Sequence, residues 1–112
     1  MNRISVGRFS NFEINTPVAV KVENVDLVVT RYGEREVSVL FGKCRHHDRV
    51  AEGQIKDETL ICPDKDCKFH VDSGVTEKGD SENLKKFSHQ IKFDYILVDP
   101  EEIRSWYESK EK

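Results

Sequence analysis

The sequence predicts one mostly β domain closed by a short C-terminal helix. Three observations predict it. Apolar residues come in runs of five to seven, separated by turn dipeptides. The segment from Asp99 carries a helix-start signature. The 112 residues, 37% hydrophobic and 35% charged, suffice for one core beneath a highly solvated surface.

Taken in order, Val18, Val20 and Val22 alternate with Ala19 and Lys21, the period of a half-buried strand. Glu23-Asn24 supplies a turn, and Asp26 to Tyr32 is a second, β-branched run. Tyr32-Gly33-Glu34-Arg35 is a further turn, after which Val37, Val39 and Phe41 share one face. Three short strands joined by tight turns form an antiparallel meander. Farther on, Glu58 to Ile61 and Lys68 to Val71 read as short strands. The polar stretch 72–88 reads as a long surface loop, within which 81–87 can make one helical turn. Gln90 to Val98 returns to strand character, with Asp94 a turn candidate that no glycine fixes. At the end, Asp99 is an N-cap, Pro100 takes the first helical position and Glu102 stands three residues after the cap. Ile103, Trp106 and Tyr107 recur on one face, giving a helix of about ten residues docked by Trp106.

Composition narrows the function classes. A net charge of −3 offers no basic footprint for nucleic acid. No run approaches the ~20 apolar residues of a membrane span, and the N-terminus lacks a signal-peptide core. Both predict a cytoplasmic protein. The chain has no Gly-rich phosphate loop and no G-x-S-x-G. Cys44 with His46 as a nucleophile–base pair lacks a third orienting group, so the expectation is a non-enzyme.

The chemical concentration lies between Cys44 and Gly74, which hold all three cysteines and three of the four histidines. Three clustered cysteines in a reducing compartment read as metal ligands, not as a disulfide framework. Cys44-x-His46 sets a thiolate and an imidazole on one tight loop, and Cys62-Pro63 opens a second loop. Residues 1–43 and 75–112 are then the scaffold of a single domain, and 44–74 its ligand-bearing part.

These loops resemble those of Rieske-type iron–sulfur domains, which bind a [2Fe–2S] cluster through C-x-H in one loop and C-x-x-H in another. Gly53 followed by Leu60-Ile61-Cys62-Pro63 is similar to the family's approach to its second loop. Lys68-Phe69 and Gly74 fall where the family has its aromatic-containing strand and closing glycine. Val18 to Phe41 resembles the opening hairpins. Gly74 through Phe87, then residues 96–103, looks like the tail of modules attached to glutamate-synthase-like flavoproteins. The similarity spans roughly residues 16–103. It implies two stacked antiparallel sheets with a small ligand-bearing subdomain at one tip. It also implies one-electron transfer with a flavoprotein reductase, an oxygenase or a glutamate-synthase-like enzyme.

One position departs from the family. Where the second histidine ligand belongs, the chain has Lys65, whose ammonium has no lone pair to offer. Asp64, Asp66 and Cys67 stand where the family has an aromatic, a glycine and an aromatic. The first loop is one residue short between Cys44 and Gly53. Three readings follow. A [2Fe–2S] cluster is held by Cys44, His46, Cys62 and Cys67, with His70 a lesser substitute. The same Cys3His set holds a single Zn or Fe. Or the fold has lost its metal, as in some nitrite-reductase small subunits, and acts as a structural or docking module.

The remaining residues have plainer readings. His47 is a surface residue beside the site, His70 a solvent-side strand residue, and His89 has no role. Phe41 and Phe69 wall the site from water, and Trp106 is core packing. The acidic stretch 72–82 is solvated surface.

Overall fold

The computed structural model describes residues 3–43, 50–62, 67–78 and 83–110. They form strands β1 (Ile4–Arg8), β2 (Thr16–Val22), β3 (Val25–Arg31), β4 (Val37–Phe41), β5 (Gln54–Lys56), β6 (Thr59–Ile61), β7 (Lys68–His70), β8 (Thr76–Lys78), β9 (His89–Lys92) and β10 (Tyr95–Val98), then helix α1 (Pro100–Lys110). The strands pair antiparallel in three sheets, ordered β2-β3-β4, β1-β10-β9 and β5-β6-β7-β8. The expected meander is the first sheet, and the ligand-bearing stretch supplies most of the third.

The β2-β3-β4 sheet is the middle layer. Its period-2 alternation sends two sets of side chains to opposite faces. Leu27 and Val29 of β3, with Val37, Val39 and Phe41 of β4, pack against Ile96, Val98, Phe87 and Ile103. Val28 and Leu40 point the other way, into a second core with Val50, Leu60, Cys62, Cys67, Phe69 and Leu84. Both faces are buried, which is why β3 and β4 read as near-continuous apolar runs. The far edge of β4 is covered too. Phe41 N–H donates to the Lys85 carbonyl and Phe87 N–H to the Val39 carbonyl, both at 2.8 Å.

Helix α1 forms as its signature predicts, with one difference. Asp99 Oδ1 caps it, accepting from Glu101 N–H at 3.0 Å and from Glu102 N–H at 3.4 Å. Glu102, however, does not close the expected capping box. Its carboxylate accepts from Ser88 N–H and Ser88 Oγ, both at 3.1 Å, tying the helix to the segment before β9. Trp106 docks the helix edge-on, its ring 4.9 Å from Phe41 and 5.3 Å from Phe87.

Several expectations are corrected. The strand-like stretch 90–98 is a hairpin that turns at the Asp94 candidate, because Phe93 and Asp94 both take positive φ and reverse the chain. The stretch 72–88 is not wholly loop, since Thr76–Lys78 pairs with β7 as β8. Its described residues 83–87 are non-helical, bridging to β4 through Leu40 and Lys86. Strands β1 and β5 were not foreseen. Gly7 marks a bulge in β1, and β5 has only three residues, so neither offers a long alternating run.

Three two-residue hairpin turns share one form. Glu23-Asn24, Asp57-Glu58 and Phe93-Asp94 all have positive φ at both positions, as a type I′ turn requires. None contains glycine, the residue that form most favours. Asp94 holds the last turn in place: its carbonyl accepts from Phe9 N–H at 2.7 Å and its carboxylate from Ser10 Oγ at 2.6 Å. Phe93 is 84% exposed and gains little packing for its strained backbone. Among the described residues, no helix is long and apolar enough to cross a membrane.

Two stability changes are expected. Phe93→Asn should raise unfolding stability by about 1 kcal/mol, because asparagine accepts left-handed backbone at lower cost. A urea midpoint that stays put or falls would contradict this. Thr30 and Ser38 face each other across β3 and β4, fully buried, with no hydrogen-bond partner for either hydroxyl among the described residues. Thr30→Val should therefore stabilise by about 1 kcal/mol, read by the same denaturation.

Candidate metal centre

Two chain reversals at one end of the β5-β6-β7-β8 sheet frame the site. The first opens after β4, where Gly42 lies so close to Asp26 that a Cβ there would sit 3.0 Å from the Asp26 carbonyl carbon. Gly42 N–H donates to the Asp26 carbonyl at 2.8 Å, and Val50 N–H donates back to the Gly42 carbonyl at 3.0 Å. The ends of the first loop are thereby pinned together. Lys43 Nζ lies 3.5 Å from the Asp26 carboxylate, which Lys21 also approaches at 3.7 Å. A cavity of about 520 Å³ opens between this ion group and Ala51-Glu52, where the scaffold meets the third sheet.

The second reversal is the β6–β7 hairpin. Its register pairs Thr59 with His70, Leu60 with Phe69 and Ile61 with Lys68. One step further along the same register, Cys62 stands opposite Cys67. Cys62 N–H donates to the Cys67 carbonyl at 3.0 Å and closes the ladder. Burial alternates along both strands, so Leu60, Cys62, Cys67 and Phe69 face the second core together. Both cysteines are 1% exposed and are thiols, not a disulfide. His70 is on the exposed face, opposite in direction to Cys67.

A glycine couples the two loops. A Cβ on Gly53 would sit 1.9 Å from the Ile61 carbonyl oxygen, immediately before Cys62. Gly53 N–H donates to the Val50 carbonyl at 3.0 Å, so the end of the first loop rests on the start of the second. Gly74 has the same role beyond β7, with φ of +77° and space only for hydrogen against the Leu84 carbonyl.

Of the expected site residues, the structure brings Cys62 and Cys67 together. Cys44, His46, His47, Asp64, Lys65 and Asp66 lie outside the described residues. Among the described residues no group of three or more His, Cys, Asp or Glu side chains is placed to hold a metal. Phe69 packs beside the cysteines as expected. Phe41 does not: it faces the scaffold core and the Trp106 ring, because its strand parity matches Val39 and not Leu40. His89 lies on β9 of the scaffold, and burial, then Lys86, push its imidazole below the ordinary value. The Tyr32 phenol is raised, first by burial and then by the carboxylates of Asp72, Glu36 and Glu58. The loop-pinning roles of Gly42 and Val50 were missed. Their only sequence signal is a glycine two residues before Cys44 and an apolar residue after the loop.

The Rieske [2Fe-2S] domain model matches residues 2–88. The chain belongs to this family. Its fold recurs in the ferredoxin of carbazole 1,9a-dioxygenase from Nocardioides aromaticivorans IC177, with a TM-score of 0.81 at 20% identity over 89% of this chain and 99% of that one. A chain from the complex of reduced oxygenase and oxidized ferredoxin in carbazole 1,9a-dioxygenase gives 0.78 at 22% identity, covering 88% and 93%. A putative NADPH nitrite reductase small subunit gives 0.76 at 10% identity, covering 88% and 99%. No curated protein sequence matches. The Rieske family's cofactor is a [2Fe–2S] cluster, and the described residues supply two donors of the type that holds one. Iron–sulfur clusters are held by thiolates, and two cysteines stand side by side on the buried face of the second loop.

Gly53→Ala tests the coupling of the loops. Backbone meets backbone there, so no rotamer relieves the clash, and a loss of about 3 kcal/mol is expected in chemical denaturation. A variant as stable as the parent would refute the contact.

Proposed function

We propose that this Rieske domain is a one-electron carrier whose [2Fe–2S] cluster is held by Cys44, His46, Cys62 and Cys67. The observation that carries the ligand set is the Cys62–Cys67 pair, opposite one another and facing inward at the end of the hairpin. In the family's register the fourth ligand belongs at position 65, where a lysine stands. Cys67 supplies a thiolate on the same face as Cys62, whereas His70 points to solvent from the other face.

The cluster, when bound, accepts and releases single electrons. The chain's own residues set its surroundings. Leu60, Phe69, Leu40 and Leu84 share one buried core with the cysteines and exclude water from them. A thiolate in place of one imidazole adds negative charge, which lowers the potential below the about −150 to +300 mV of Rieske centres with two histidines. The protein delivers electrons and is not itself a catalyst. Its partner is a redox enzyme of the flavoprotein reductase, oxygenase or glutamate-synthase-like kind. An oxygenase has direct precedent in the carbazole 1,9a-dioxygenase ferredoxin complex. Clustered cysteine and histidine, in place of a disulfide framework, support the cytoplasm as its compartment.

The test is iron and acid-labile sulfide analysis with visible spectroscopy on anaerobically purified protein. Iron and sulfide in equal amounts, with bands that bleach under dithionite, are expected. Cys67→Ser should retain about tenfold less iron, while Lys65→Ala and His70→Ala should load normally. Zinc or iron without sulfide would replace the cluster by a mononuclear site. A folded, colourless, metal-free protein would leave a docking module, the reading that Lys65 favours.

A further inference from the structure

The hairpin that presents Cys62 and Cys67 has a second chemical capacity. We infer that, in the cluster-free chain, Cys62 and Cys67 form a reversible disulfide at the loop end of the β6–β7 hairpin.

The geometry comes from the ladder. Val71 N–H donates to the Glu58 carbonyl and Cys62 N–H to the Cys67 carbonyl, both at 3.0 Å. Those two pairs lie four residues apart along one register, so both are hydrogen-bonded positions of an antiparallel pair. Such positions hold their Cα atoms about 5.5 Å apart, inside the roughly 4.4–6.8 Å that a disulfide spans. Both side chains lie on the same face, which the alternation of burial establishes independently. Both sit in one apolar cluster with Leu60 and Phe69, which hold the strands in register beneath them. At hydrogen-bonded positions the Cβ atoms stand near the wide end of about 4.5–5.5 Å, beyond the roughly 3.5–4.5 Å of a relaxed bridge, so the bond closes by drawing the strands together locally, with strain that makes it more reducible.

The bond closes a small ring, so it removes little chain entropy from the unfolded state. It therefore adds little to the stability of the fold and is not a structural staple. A hydroperoxide is the oxidant. One cysteine sulfur attacks the peroxide, the O–O bond breaks, and a sulfenic acid forms as water or an alcohol leaves. The second sulfur displaces the sulfenic hydroxyl as water, and the S–S bond closes. Overall, two thiols and one hydroperoxide give one disulfide, one water and one alcohol (a second water for hydrogen peroxide). A dithiol such as dithiothreitol reverses the reaction by exchange.

Formation of the bond rests on the hairpin alone. Its consequence, that the oxidised chain refuses a cluster, rests on the ligand set proposed above. Oxidation would then close the site whenever the cluster is lost, and reduction would reopen it.

The experiment uses the full chain, stripped of metal by a chelator under reducing conditions, desalted without oxygen and treated with equimolar hydrogen peroxide. The thiol titre should fall from three to one, with the loss of two hydrogens from the intact mass. Lys65 lies between the two cysteines, so trypsin should release peptides 57–65 and 66–68 still joined. Cys44→Ser should oxidise in the same way, and Cys67→Ser should not. An unchanged mass, or a linkage through Cys44, overturns the inference. In a second arm the oxidised chain is offered ferrous iron and sulfide. It should load only after dithiothreitol is added. Equal loading before and after would leave the disulfide standing and remove the ligand role of the pair.

Discussion

The two-faced burial of the β2-β3-β4 sheet is the constraint on which everything else in this molecule depends. Here the middle layer shares one core with the β1-β10-β9 sheet and α1, and another with the hairpins that carry the cysteines. Side-chain parity alone separates the two: Val39 and Phe41 belong to the scaffold, Leu40 to the site. A one-residue slip in β4 would exchange these sets and dismantle both cores at once.

From that layer the site is positioned through backbone contacts more than through side chains. Gly42 presses on Asp26, Gly53 on the Ile61 carbonyl and Gly74 on the Leu84 carbonyl. Each glycine allows two chain segments to meet closer than a Cβ permits, so the segments flanking the two loops are held against one frame. Such a frame suits a redox centre that must not rearrange when it takes up an electron. The hydrogen bond between Cys62 and Cys67 defines the base of the second loop.

The legibility of the fold followed the strength of local signals. The N-cap at Asp99, Pro100 and the Ile103–Trp106–Tyr107 face announced the helix, and all three act as their chemistry dictates. Glu102 did not, because the unsatisfied N–H and hydroxyl of Ser88 lay within its reach. The turns were harder. Glu23-Asn24 was readable since asparagine tolerates positive φ, whereas at Phe93-Asp94 only Asp94 signalled a turn, since a phenylalanine there opposes its own preference. Asp94 and its bonds to Phe9 and Ser10, distant in sequence, hold that turn instead.

For the site, the sequence by itself determined the donor types, their confinement to Cys44–Gly74, the family likeness and the departure at Lys65. These are properties of residue identity and spacing, which need no third dimension. Only the tertiary structure decided which donors share a face. It set Cys67 beside Cys62, turned His70 to solvent and assigned Phe41 to the scaffold. The reason is that direction in a β-sheet follows from register and parity, and register is settled by pairing with other strands, not by the residues of one strand alone.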